Sequence, residues 1–101
     1  MTKENDHGII REEIAPGRER SIAHLENLMV VVFDFNDGPM PEPDPPHSHP
    51  HEQITYVADG ELNFFRGSAK YHLSRGDLIT VPPGTSHCIQ TLSKQIGRAH
   101  V

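Results

Sequence analysis

From Gln53 onward, turn chemistry breaks the chain about every eight residues, a spacing that leaves room for short strands but not for an ordinary helix of roughly 11–12 residues. Asp59-Gly60, Gly67-Ser68, Arg75-Gly76-Asp77 and Pro82-Pro83-Gly84 are the punctuation. Gly and Pro supply backbone conformations that end a strand. Between them lie extended segments at Gln53–Ala58, Glu61–Arg66, Lys70–Leu73, Leu78–Val81 and Ser86–Leu92. In the first of these, Gln53, Thr55 and Val57 share one face and Ile54, Tyr56 and Ala58 the other. Upstream, Leu28–Phe35 (LMVVVFDF) is apolar at seven of eight positions and rich in β-branched residues, as in a central strand covered on both faces. The MPEPDPP stretch that follows carries Pro41, Pro43, Pro45 and Pro46, which exclude helix and central strand alike and predict an extended loop. Residues 1–16 are polar, end at a Pro16-Gly17 turn signal and read as an N-terminal arm; a single helical turn over Ile10–Ile14 is the other reading. Short strands joined by turns, with no βαβ pattern and no repeat, define an all-β sandwich or barrel.

The chain has 101 residues, enough for one domain with a modest core. Hydrophobic residues make up only 35%, so a partner subunit or a bound metal is expected to add stability. A net charge of −5 argues against general binding of nucleic acid or anionic membranes. No run of about 20 apolar residues and no apolar signal core is present, and a cytoplasmic protein is expected. The single Cys88 excludes an internal disulfide and a thiolate zinc site. Beside Cys88, eight histidines stand out.

His47-Ser48-His49 places two imidazoles at i and i+2, on one face of an extended chain, with α-carbons about 6.6–7 Å apart. Both reach one ion at a bond of about 2.0–2.1 Å. Gln53 joins them only if the chain bends, because four residues of straight strand span about 13 Å, and Pro50 sits where a bend is needed. His87, just after Pro82-Pro83-Gly84, is the natural fourth ligand.

The segments HSHPHEQITYVADGEL and GDLITVPPGTSH resemble the two signature motifs of the cupin superfamily, G-x5-H-x-H-x3-4-E-x6-G and G-x5-P-x-G-x2-H-x3-N. Seven residues match: His47, His49 and Gly60 in the first, Gly76, Pro82, Gly84 and His87 in the second. The first glycine is replaced by Pro41, the last asparagine by Thr91 and the acidic ligand by Gln53. Glu52 is adjacent, but alternation points it to the opposite face from Gln53, so Gln53 is the expected ligand and Glu52 the alternative. The resemblance implies a cupin double-stranded β-helix, a jelly-roll barrel over residues 17–94, that holds one divalent transition metal through His47, His49, Gln53 and His87. Imidazole and amide ligands suit Zn, Ni, Mn, Fe, Co or Cu, and the set does not choose among them. Neutral ligands leave the ion's charge uncompensated, which favours an anionic ligand and a small acid as substrate.

The His-His-Gln-His set is similar to that of the small pectin-degradation cupins, and the resemblance implies ring opening of 4,5-unsaturated uronates released from pectin or alginate. A metal-dependent dioxygenase and a non-catalytic metal- or sugar-binding protein are the alternatives. In that family a further strand after the second motif lines the pocket. Here the chain reads SKQIGRAHV after Leu92, and the terminal IGRAHV resembles a translated sequencing adapter. The barrel is therefore expected to lack its last strand, residues 95–101 to be a non-native tail, and a homodimer to cover the exposed edge. Catalytic and substrate-binding residues are left unassigned; Arg18, Arg20 and Arg66 are three candidates to clamp a carboxylate. Tyr56, Phe33 and Phe35 read as core, with a sugar pocket as the alternative. His51 and His72 read as exposed, and Cys88 as buried and inert.

Overall fold

The computed structural model describes residues 2–4, 7–36, 38–93 and 95–100, with side chains for 7–36 and 38–93. Ten strands follow in order: β1 (Thr2–Glu4), β2 (Ile10–Ala15), β3 (Arg18–His24), β4 (Met29–Phe35), β5 (Gln53–Val57), β6 (Glu61–Arg66), β7 (Ala69–Ser74), β8 (Leu78–Val81), β9 (His87–Thr91) and β10 (Gln95–His100). They form a seven-stranded sheet, β1-β2-β3-β4-β10-β5-β8, and a three-stranded sheet, β7-β6-β9, with every pairing antiparallel. No helix among the described residues is long and apolar enough to cross a membrane.

The core lies between the two sheets. Phe35, Val57, Leu62, Phe64, Leu73, Ile79, Val81 and Ile89 form one buried cluster, with Phe33, Met40 and Tyr71 packed against it. The segment read as an arm supplies β1 and β2, and β2 pairs with β3 from Ile10↔Ile22 to Ala15↔Arg18. Ile10–Ile14 is thus strand, because β3 offers it a ladder that no isolated helical turn could match.

The expectation of a barrel without its last strand is corrected. Residues 95–100 insert as β10 between β4 and β5, with Ala99 opposite both Val32 and Tyr56. The physical reason is that two facing rows of backbone N–H and C=O groups in β4 and β5 reward any extended segment without proline, whatever its side chains. A register shift between Gln95 and Arg98 lets it follow the twist. The side chains of residues 94–101, and with them the non-native character expected of that tail, lie outside the described residues.

β5 is inverted relative to an ordinary half-buried strand. Gln53, Thr55 and Val57 are buried, whereas Ile54 and Tyr56 are 49% and 41% exposed. Tyr56, read from the sequence as core or pocket, faces outward beside Leu78 of β8. A polar pair turned inward is costly unless it is hydrogen-bonded, so this strand marks where the interior holds chemistry.

The proline-rich loop runs along β9. Met40, Asp44 and His47 donate their backbone N–H groups to the carbonyls of Thr91, Ile89 and His87 at 2.9, 2.9 and 3.0 Å. These donors fall between the prolines, which have none of their own. The last contact is reciprocal: His87 N–H donates to the His47 carbonyl at 2.9 Å, an isolated antiparallel bridge.

Candidate metal centre

That bridge explains why histidines 40 residues apart meet. In a hydrogen-bonded antiparallel pair, opposed side chains project to the same side from α-carbons about 5.5 Å apart. His49 is held by a second tie, since Gly84 N–H donates to its carbonyl at 2.8 Å. Gly84 sits at φ +74° with Pro83 before it, and Thr85 N–H reaches the Pro82 carbonyl at 3.3 Å. This is the geometry of a type II turn, which requires positive φ at its third residue and so favours glycine there. The H-x-H segment and the Pro-Pro-Gly turn thus form one hydrogen-bonded unit.

Within it the ligand atoms of His47, His49 and His87 lie within 4.8 Å of one another. Ring centroids are 4.3 Å apart for His47–His87, 4.7 Å for His49–His87 and 5.9 Å for His47–His49. Gln53 closes the group, with its Oε1 2.8 Å from His49 Nε2. Ligands at right angles around an ion, each with a bond of about 2.1 Å, stand roughly 3 Å apart. Glu52 is exposed, whereas Gln53 is buried and contacts a histidine of the cluster. His51, read as solvent-facing, is exposed and stacks on His49 at 3.9 Å and 1°.

Protons around the site are fixed by carbonyls. His87 Nδ1 donates to the Thr85 carbonyl at 2.8 Å and His49 Nδ1 to the His51 carbonyl at 3.0 Å. In the neutral rings the lone pairs are then at Nε2. Gln53 Nε2 donates to Thr55 Oγ1 at 2.8 Å, which turns the amide oxygen toward His49. His49 Nε2 and Gln53 Oε1 therefore face each other at hydrogen-bonding distance. Atoms so placed need a proton between them or a cation beside both. A divalent cation meets that need, and the residues present fit one.

Thr55 is fully buried, and its hydroxyl accepts from the Gln53 amide. Thr55→Val keeps the shape and frees the amide to rotate. We expect a loss of metal affinity of about 10–100-fold with the fold intact, measured by competition with a chromophoric chelator. A change within about twofold would show that the amide needs no such support.

A cavity of about 210 Å³ opens onto the cluster, lined by His47, Gln53 and His87, by Phe33, Phe35 and Phe64, and by Arg18 and Asp44. Sites for drug-sized ligands occupy roughly 300–1,000 Å³, so this one suits a single small molecule rather than a polymer. Of the three arginines weighed from the sequence, Arg18 lines the cavity. Arg20 is ion-paired with Glu12, and Arg66 donates to the Thr80 carbonyl and the Tyr71 hydroxyl. Cys88 is buried, and burial together with the Asp44 charge pushes its thiol pKa up, as expected of an inert cysteine. Thr91 is fully buried where the motif has asparagine.

Two packed antiparallel sheets with a histidine cluster at the seam of both motifs define a jelly roll of the cupin type with a candidate metal site. The sequence matches the cupin domain family (Cupin_2) over residues 37–101, and the chain belongs to that family. The fold is similar to KdgF from Halomonas sp., at 29% identity and TM-score 0.78, covering 96% of this chain and 87% of that one. It is also similar to an RmlC-like cupin from Shewanella frigidimarina NCIMB 400, at 25% identity and TM-score 0.77, covering 98% and 90%. AerE from Microcystis aeruginosa shares the fold alone, at 18% identity and TM-score 0.78, covering 91% and 44%. No curated protein sequence matches the chain.

Proposed function

We propose that this cupin binds one divalent transition metal through His47, His49, Gln53 and His87 and opens the ring of small 4,5-unsaturated uronates. The observation that supports it most is the convergence of His47, His49 and His87, with Gln53 Oε1 2.8 Å from His49 Nε2. A divalent ion held there would supply Lewis-acid polarisation of a ring oxygen or hydroxyl. The chain's own residues do the rest. The carbonyls of Thr85 and His51 hold the two imidazoles in one tautomer, and Thr55 orients the amide. The phenylalanines give an apolar wall to a cavity of about 210 Å³, which suits one small sugar acid. The motif resemblance to the pectin-degradation cupins supports the substrate class, and the likeness to KdgF agrees with it. A homodimer in the cytoplasm belongs to the same proposal, and light-scattering mass tests the assembly.

The test is loss of the alkene absorbance of an unsaturated monouronate, with the protein reconstituted in turn with zinc, manganese and nickel. We expect acceleration over the uncatalysed rate that a chelator abolishes. Metal binding at one ion per chain without acceleration by any of the three would remove the ring-opening reading and leave a binding protein.

A further inference from the structure

We propose that Arg18 is the residue that recognises the acid group of the ligand, by exchanging Asp44 for the ligand's carboxylate. The inference rests on the uronate reading and adds to it the residue that sets acid against neutral sugar. Arg18 opens β3 opposite Phe35, and its guanidinium lies 5.0 Å from that ring's centroid, which fixes its plane against the cavity wall. Among the described residues that line the cavity, Arg18 is the one Lys or Arg and Asp44 the one carboxylate.

The two face each other as a fork. Arg18 Nη1 donates to Asp44 Oδ2 at 3.3 Å and Nη2 to Asp44 Oδ1 at 3.4 Å. Charge-assisted bonds of this kind are normally about 2.7–2.9 Å, so the contact is a loose one. Nη2 also reaches Met40 Sδ at 3.7 Å, a weak acceptor. Side chains 28% and 35% exposed keep both groups within reach of a solute entering the cavity. A planar, five-donor guanidinium matches a carboxylate in two parallel bonds, and a second carboxylate can take the place of a loosely held first. The pairing also explains why a site with no acidic ligand carries an acid nearby. Asp44 occupies Arg18 until an anion arrives, and it repels anions that do not engage the guanidinium.

The experiment uses the zinc-loaded chain titrated calorimetrically with galacturonate and, separately, with uncharged galactose. The wild type is expected to bind the acid at least tenfold tighter than the neutral sugar. Arg18→Gln is expected to lose about tenfold for the acid with galactose unchanged, Arg18→Lys to lose less, and Asp44→Asn to bind the acid several-fold tighter. A merely structural pair would predict the opposite sign for Asp44→Asn. If the wild type discriminates and Arg18→Gln discriminates equally, or if Asp44→Asn binds the acid more weakly, the assignment of Arg18 is overturned while the uronate reading stands. If the wild type shows no preference for the acid, both fall. Should Arg18→Gln not fold, Arg18→Lys and Asp44→Asn decide by the same signs.

Discussion

His87→Ala is expected to abolish binding of a divalent metal and, with it, the response of the protein's thermal stability to chelators. His87 is 4% exposed, opens β9 and stands at the bridge that joins the two motifs. Removing its ring takes one of three imidazoles from the cluster and the one whose tautomer Thr85 sets. An ion at 100 times its dissociation constant stabilises the folded chain by about 2.7 kcal/mol. For a domain of this size, each kcal/mol shifts Tm by roughly 4–8 °C. The wild type should therefore lose about 10–20 °C on metal removal, and the variant almost nothing further. Differential scanning calorimetry with and without a chelator, beside elemental analysis, checks both halves. One bound ion per chain in His87→Ala, or an unchanged chelator response, would contradict the ligand set.

Phe64→Ala carries the other large effect. Its side chain is 1% exposed at the centre of the core, and its ring lies parallel to that of His87 with centroids 6.1 Å apart. Truncating a buried phenylalanine costs about 3–5 kcal/mol, against a total stability of about 5–15 kcal/mol. The variant is expected at the edge of unfolding, with a urea midpoint far below the wild type and an unchanged slope. It is also expected to bind metal more weakly, since the wall behind His87 is gone. A loss below about 1 kcal/mol would mean that the two sheets repack around the gap.

Much of the site could be read from the sequence because its spacing is local. His47, His49 and Gln53 lie within seven residues, and the turn at Pro82-Pro83-Gly84 advertised where His87 would follow. Alternation separated Gln53 from Glu52, and the buried and exposed faces of β5 agree with it. The inward polar pair Gln53 and Thr55 was visible as a pattern, but its meaning as amide and support required the 2.8 Å contact. Arg18 was one of three arginines the sequence offered, but its choice over the others and its pairing with Asp44 stayed hidden, because the two are 26 residues apart and no motif couples them; only the pairing of β3 with β4 and the path of the proline loop bring them together. The place of β10 was misread for a related reason. Its side chains advertise nothing, and the pairing that places it depends on two strands far upstream.

The loop from Met40 to His47 has a consequence for how this molecule meets its neighbours. An intruding β-segment that approached β9 from outside would find pyrrolidine rings at positions 41, 43, 45 and 46, with the amide hydrogens of Met40, Asp44 and His47 already turned inward. That flank is sealed against templated growth, so the chain can keep an open, ligand-accepting mouth beside it without inviting cross-β aggregation there.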